Sequence, residues 1–362
     1  MKLSDYVSPD YAHARARFLK SAETAGAEVF AQQHPLRGPS GEKLFCDTAW
    51  IGPRDAEKVF VTISATHGVE GFCGSMCQSA WLGEGMAKRS TDANIAHLAI
   101  HALNPYGFAW IRRVNEDNVD LNRNFVDFSK PLPVNENYRL LHAAICPSDW
   151  SEATEAAYEA AIAQFKAEKG DLAYRMAVSG GQYEFPDGIF FGGQAPTWSH
   201  RALRAIFQSQ LAQAKAIGVV DFHSGLGPFG YGEIIEGNSP KDRDTWRMKE
   251  WFGDQVTFEE DGTASSAPMV GTNGTGMRRF APDAVLVKVA LEYGTHPHPR
   301  MRRALRHDNW LHMHGDLNSA EARAIKAEIR ECYGPDDAKW RDAVWTRAIE
   351  VSDMTIAGLG TV

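Results

Sequence analysis

His67 and Glu70 are a pair of side chains that could act together on one chemical group. They lie three positions apart in the segment His-Gly-Val-Glu, between an apolar run and a predicted helix, so both can point at one ion. Catalytic zinc sites take three protein ligands from histidine and carboxylate side chains and leave one position open for water. His223 follows another apolar run and is the candidate for the third ligand. Alternatively, His67 caps a helix or lies in the core, and the pair by itself does not separate these interpretations.

A second polar group lies in the loop-like stretch between positions 104 and 125. It contains Arg113, Asp120, Arg123 and several asparagines. An arginine side chain offers a planar fork that binds a carboxylate through two hydrogen bonds. A second arginine beside a metal can stabilise negative charge that develops in a transition state. A solvated surface loop with structural asparagine turns would show the same composition, so this stretch alone leaves both interpretations open.

Four motifs, taken in order, resemble the M14 zinc carboxypeptidase superfamily. They are HGVE at 67–70, NPYGFAWIRRVNEDNVDLNRNF at 104–125, DFHS at 221–224 and LEYG at 291–294. The resemblance runs from about position 59 to position 295 and is closest to the bacterial M14-like group called DUF2817. The segments HGVEG, NPYGF and DFHSGLG are also similar to the succinylglutamate desuccinylase and aspartoacylase branch.

The resemblance implies one zinc ion per chain, bound by His67, Glu70 and His223. It also implies that Asp120 accepts a hydrogen bond from the ring N–H of His67. Such a partner fixes which ring nitrogen of a histidine faces the metal.

The resemblance also implies a set of residues that act on substrate. Arg113 would polarise the scissile carbonyl, and Asn122 and Arg123 would hold a substrate carboxylate. Glu292 would be the general base that activates the zinc-bound water. Without the resemblance, Glu292 could equally be a carboxylate at a strand end that pairs with a nearby lysine or arginine.

The expected activity is hydrolysis of an amide or peptide bond next to a free carboxylate, by a carboxypeptidase-like metallopeptidase acting on small peptides. The alternative is a zinc deacylase of N-acyl amino acids, and the remote alternative is an inactive metal- or ligand-binding protein. Asn122 and Arg123 do not discriminate, because both substrate classes carry a carboxylate. Secreted digestive members of the superfamily carry a loop tyrosine upstream of the catalytic glutamate, but no tyrosine lies between Gly232 and Glu292. Its absence slightly favours the deacylase or an atypical peptidase.

Three further groups of residues could extend the site. Arg278 or Arg279, in the segment that replaces the tyrosine loop, could contact substrate or form a solvated loop tip. His296 and His298 could bind a second metal or belong to a rim loop. Cys73 and Cys77 lie one helical turn apart and could bind a metal, although small buried cysteines on a helix are the commoner case.

The elements that must position these residues alternate between strands and helices. The predicted strands are 44–51, 59–65, 96–103, 217–223 and 285–291. The predicted helices are 9–33, 71–82, 152–169, 199–216, 300–332 and 336–352. This alternation predicts an α/β fold with a mixed, mostly parallel central sheet and helices on both faces. The resemblance implies that this fold is of the zinc carboxypeptidase type. His67 with Glu70, Asn104, His223 and Glu292 each follow an apolar run, so we expect them at one edge of the sheet.

The chain as a whole is predicted to be one domain over 1–362. Segment 1–50 would be an N-terminal helix and strand extension, and segment 300–362 would supply C-terminal helices. The net charge of −8 argues against a nucleic-acid partner. The sequence contains no run of about 18 apolar residues, so no membrane span is predicted. Five scattered cysteines and an N-terminus without an apolar stretch predict a cytoplasmic protein. The sequence does not indicate an oligomeric state.

Overall fold

A computed structural model describes residues 2–238 and 241–362 of the chain. Its described part contains eight strands in one sheet. The strands are β1 (Glu28–Arg37), β2 (Lys43–Ile51), β3 (Lys58–Ile63), β4 (Ala96–His101), β5 (Ala216–Gly225), β6 (Gly232–Glu236), β7 (Val256–Thr257) and β8 (Val285–Gly294). Their order across the sheet is β1-β2-β4-β3-β5-β8-β6-β7.

Parallel pairing dominates the centre of this sheet. The pairs β4–β3, β3–β5 and β5–β8 are parallel, as is β6–β7 near one edge. The pairs β1–β2, β2–β4 and β8–β6 are antiparallel. Strands buried on both faces are expected to be continuous apolar runs, and β3, β4 and β5 are such runs. The predicted mixed, mostly parallel sheet is therefore confirmed.

Helices cover both faces of the sheet. The helices are α1 (Tyr11–Thr24), α2 (Gly71–Gly83), α3 (Lys88–Thr91), α4 (Pro105–Ala109), α5 (Leu121–Asn124), α6 (Glu136–Ile145), α7 (Glu152–Lys169), α8 (Asp171–Ser179), α9 (Trp198–Gln210), α10 (Trp246–Phe252), α11 (Asn273–Phe280), α12 (His298–His314), α13 (Ala320–Tyr333) and α14 (Ala338–Gly360). One core contains side chains of α1, α2, α10 and α14. The opposite core contains side chains of α9 and α11.

Three helices lie apart from the sheet and pack mainly on each other. Helices α6, α7 and α8 share an apolar cluster that also includes Leu305 of α12. Among the described residues, no helix has both the length and the apolar character that crossing a membrane needs.

The sequence-based prediction was wrong in several places, of which three concern predicted helices. The helix predicted over 9–33 ends at Thr24, and β1 occupies the second half of that segment. Most of β1 is exposed at the sheet edge, so the alternation that identifies a half-buried strand is missing. The helix predicted over 199–216 ends at Gln210, and the segment 300–332 contains two helices instead of one. By contrast, Glu152–Lys169 is a helix with the predicted bounds.

Candidate functional site

Two neighbouring strands carry the three candidate metal ligands. His67 follows β3, and a single 3₁₀ turn, Gly68–Glu70, leads from it into α2. His223 lies near the end of β5, which pairs with β3. The turn is pressed against the backbone of the 104–125 stretch, because a Cβ on Gly68 would lie 2.0 Å from the carbonyl carbon of Gly107. Only glycine therefore fits at position 68 of this turn.

The donor atoms of these three residues converge on one point. His67 Nδ1 lies 2.9 Å from Glu70 Oε1, and His223 Nδ1 lies 2.9 Å from Glu70 Oε2. The two Nδ1 atoms are 3.3 Å apart. Metal–ligand bonds of 2.0–2.1 Å in a tetrahedral zinc site place ligand atoms about 3.3 Å apart. Within the described part of the chain, these residues form the group of histidine, cysteine and carboxylate donors that could hold a metal, and the set fits zinc.

A buried carboxylate lies behind each histidine. Asp120 Oδ1 is 3.1 Å from His67 Nε2. Asp221 Oδ2 is 2.9 Å from His223 Nε2, and sequence reasoning missed it. The signal was available, because residues two apart on a strand point to the same face. Both carboxylates leave the Nδ1 atoms directed at the common point.

The charges around this point favour ionised carboxylates. Burial raises the pKa of Glu70, but His67 and His223 lower it to about 2. Burial also raises the pKa of Asp120, which Arg113 and Arg123 bring well below its usual range. For His223, burial lowers the pKa, whereas Asp221 and Glu70 raise it to about 10. Anions that hold a proton on His223 would also attract a cation, which would displace that proton.

Arg113 contacts the ligands directly. Its Nη1 donates to Glu70 Oε1 at 2.9 Å, its Nε donates to Asp120 Oδ2 at 3.0 Å, and its Nη2 is 2.9 Å from His67 Nε2. The side chain also lines the large cavity that opens at the metal-binding group. Arg113 therefore brings positive charge to the boundary between the ligands and the cavity.

Glu292 lies on β8 directly beside His223, its partner in the β5–β8 register. Its Oε1 accepts a hydrogen bond of 2.9 Å from the backbone N–H of Leu226. Burial raises the pKa of Glu292, and the nearby Glu70 raises it further, to about 8. A carboxyl group whose pKa lies near neutrality can both accept and donate a proton during catalysis.

Asn122 and Arg123 lie together on the cavity wall. Asn122 Oδ1 accepts a hydrogen bond of 3.1 Å from the backbone N–H of Asn273. No hydrogen bond between described residues uses the Asn122 amide N–H groups, which leaves them for a ligand. Arg123 is almost fully buried, and its Nη2 donates to the backbone oxygen of Ser179 at 2.6 Å.

The cavity that joins these residues has a volume of about 1470 Å³. It is larger than most small-molecule sites, which occupy about 300–1,000 Å³. Helix α8, the segment 264–272 and the first half of α12 form much of its wall, and Tyr333 of α13 also lines it. Six of the predicted site residues line it, namely His67, Arg113, Asn122, Arg123, His223 and Glu292.

Other candidates from the sequence lie elsewhere. Asn104 lies at the expected edge of the sheet, where its backbone N–H donates to Ala65 O, but it caps α4 by accepting from Gly107 N and does not line the cavity. Cys73 and Cys77 are buried in the core between α2 and the sheet. Arg278 pairs with Asp242 and Asp244 outside the cavity.

Arg279 and His296 do line the cavity. Arg279 donates to the backbone oxygen of Phe125, and His296 Nε2 is 3.2 Å from Glu331. Neither His296 nor His298 belongs to the group of donors that could hold a metal.

Comparison with known proteins identifies the family. A sequence model described as "Protein of unknown function (DUF2817)" matches residues 6–347. The chain belongs to the DUF2817 family. The HGVE, DFHS and LEYG motifs indicated a resemblance to this group, and the match confirms it. No curated protein matches the DUF2817 chain.

Solved structures similar to this DUF2817 protein include two hydrolases. One is carboxypeptidase A from Helicoverpa armigera, with 12% identity and a TM-score of 0.48, over 94% of this chain and 73% of that one. Another is murein-tripeptide amidase MpaA from Escherichia coli O157, with 17% identity and a TM-score of 0.37, over 82% of this chain and 94% of that one.

Proposed function

We propose that this chain is a zinc-dependent hydrolase that cleaves an amide or peptide bond next to a free carboxylate. The observation that carries the proposal is the convergence of three buried donors, His67, Glu70 and His223, at the inner end of a large cavity, with Glu292 on the adjoining strand. When bound, one zinc ion would lower the pKa of a water molecule and polarise the scissile carbonyl.

Glu292 is the proton carrier of the proposed reaction. It takes a proton from the attacking water and delivers it to the leaving amine, as the amide C–N bond breaks and a C–O bond forms. The products are a carboxylic acid and an amine. Arg113 faces the same end of the cavity and stabilises negative charge on the carbonyl oxygen.

Asn122 and Arg123 bind the substrate carboxylate in this proposal. The Asn122 Oδ1 atom is occupied by Asn273 N, so the amide N–H groups are oriented toward the cavity and donate to the carboxylate. Arg123 supplies positive charge beside them, although part of its guanidinium is bound to backbone oxygens.

An N-acyl amino acid is the second candidate substrate, and one observation favours it. The segment that replaces the superfamily's mobile tyrosine loop contains the packed helix α11, and its first residue, Asn273, is fully buried. The chain therefore offers no tyrosine from this segment to close over a peptide. The zinc chemistry is the same for both substrate classes.

Metal analysis and a substrate panel test the proposal. Purified protein should carry about one zinc per chain, and dipeptides or N-acyl amino acids should release free amine. Replacing the general base, Glu292→Gln, should lower kcat by about 10²–10⁴-fold because proton transfer is lost, while zinc stays bound. The control Glu260→Gln changes an exposed carboxylate of the same cavity and should retain activity.

Three results would contradict parts of this proposal. Protein without zinc under non-chelating conditions would exclude the metal site. Full activity of Glu292→Gln would remove Glu292 from the general-base role. Cleavage of N-acyl amino acids alone would replace the peptidase with the deacylase.

A further inference from the structure

Tyr333, the last residue of α13, lies beside the candidate metal centre. It comes from a C-terminal helix, outside the stretch that carries the family motifs. The side chain lines the same cavity as His67, His223 and Arg113, and only 5% of the residue is exposed. A buried phenol at the reacting end of a cavity is placed to contact the group that reacts.

The ligand-bearing segments hold Tyr333 in place. The Ser224 hydroxyl, next to His223, donates to the Tyr333 backbone oxygen at 2.5 Å. A Cβ on Gly225 would lie 3.1 Å from the tyrosine ring, so the ring packs against the backbone that follows His223. Val69, between His67 and Glu70, belongs to the same apolar cluster as Tyr333. The end of β5 and the 3₁₀ turn therefore both fix the ring.

Burial keeps the Tyr333 phenol protonated, and the charges of Arg113 and Glu70 act on it in opposite directions. Burial raises the pKa of Tyr333, Arg113 lowers it by its charge and by a hydrogen bond, and Glu70 raises it. Arginine has no acceptor atom, so in a hydrogen bond with Arg113 the phenol oxygen would be the acceptor and the phenol would retain its own proton. No hydrogen bond between described residues takes up that proton. The hydroxyl is thus an available donor at the cavity surface.

We propose that Tyr333 is a further catalytic residue, whose hydroxyl donates a hydrogen bond to the scissile carbonyl oxygen as negative charge develops there. The inference rests on the proposed hydrolase function and adds a second donor beside Arg113. The proton stays on the phenol, so the step makes and breaks no covalent bond. The donor would strengthen binding of the transition state more than binding of the ground state.

Tyr333→Phe tests this role because it removes the hydroxyl and keeps the ring that packs on Gly225. Removal of one oxyanion donor typically lowers kcat by about 10²–10³-fold. We expect a loss of that order with KM changed less than about threefold, and with zinc content and thermal unfolding unchanged. A phosphinate analogue of the best-cleaved compound mimics the tetrahedral state. Its affinity, measured by calorimetry, should fall by a similar factor, while that of the carboxylate product should not.

Tyr174→Phe is the matched control. Tyr174 is equally buried and lines the cavity, but its hydroxyl already binds Arg302 and Tyr158. We expect its kcat to stay close to that of the unmodified protein.

The possible failures are distinguishable. If the unmodified protein cleaves its substrate and Tyr333→Phe keeps kcat within about threefold, the Tyr333 inference alone is wrong. Loss of zinc or of thermal stability in Tyr333→Phe would make Tyr333 a structural residue and would also overturn it. If the unmodified protein binds zinc but cleaves no member of the panel, the proposed function fails, and the inference fails with it.

Discussion

Hydrogen bonds connect the two carboxylates that lie behind the candidate metal ligands His67 and His223. Asp120 Oδ1 accepts from the backbone N–H of Asn122, and Asn122 Oδ1 accepts from that of Asn273. The Asn273 side chain donates to Asp221 Oδ2 at 2.7 Å. The orientation of each histidine therefore depends on one shared chain of polar groups, which also includes the proposed carboxylate-binding Asn122.

Asp221→Asn should weaken zinc binding by about 10–100-fold, because loss of a carboxylate behind a ligating histidine typically has that effect. Asp221 is fully buried and already accepts from Thr66 and Asn273, so an amide there would place an N–H against another donor. Competition with a chromophoric chelator measures the zinc affinity.

Asp283→Asn, at an exposed position, is the matched control and should bind zinc like the unmodified protein. A folded Asp221→Asn protein with undiminished zinc affinity would refute the role given to Asp221.

The sequence identified those residues of the candidate site that have a local signal, such as a position after an apolar strand. His67, His223 and Glu292 each follow an apolar strand, and the motifs then indicated Asp120. Asn273 and Tyr333 could not be found in this way. Asn273 bonds to Asn122 across 151 positions, and only the folded chain brings such residues together.

Helices and strands were predicted correctly where local sequence determines them, and wrongly where tertiary contacts do. Helix α7 has the predicted bounds because its capping box, charges and uninterrupted helix formers are all local. Strand β1 was missed because its pairing with β2 defines it, and its side chains are mostly exposed. The segment 271–279 was interpreted as a loop in the place of the superfamily's tyrosine loop, but most of it is α11, whose Met277 packs in the core.

Gly271→Ala should test how closely this segment supports the proposed carboxylate site. Gly271 has φ +82°, and a Cβ there would lie 2.6 Å from the backbone oxygen of Arg123. The left-handed backbone alone costs an L-residue about 1–2 kcal/mol, and forced overlap in a packed region adds about 1–3 kcal/mol. We expect a lower free energy of unfolding in denaturant and a higher KM, because Arg123 must move.

Gly262→Ala separates the two contributions to this effect. Gly262 has φ +75°, but nothing lies within 4 Å of a Cβ placed there. It should therefore show the backbone cost alone, with KM unchanged. Equal losses of stability and equal KM values in the two variants would contradict the close support of Arg123 by Gly271.

In the whole molecule, both ends of the chain pack against the central sheet. The sequence suggested an extension over 1–50 and terminal helices over 300–362 around one domain. In the fold, β1 and β2 belong to the central sheet, and α14 packs against β5. Phe18 of α1 and Leu359 of α14 are both fully buried in the same core. We therefore propose that the described chain behaves as one domain.

A single domain predicts one cooperative unfolding transition for the zinc-free protein, with equal calorimetric and van't Hoff enthalpies. Phe18→Ala and Leu359→Ala, at opposite ends of the chain, should each lower the midpoint of that same transition, because each loses about 2–5 kcal/mol of core packing. Leu141→Ala in α6 is the critical comparison, because α6, α7 and α8 have an apolar cluster of their own. It too should shift the single transition. A separate transition that responds to Leu141→Ala alone would instead divide the chain into two unfolding units, with the cavity wall formed by α8 in the less stable one.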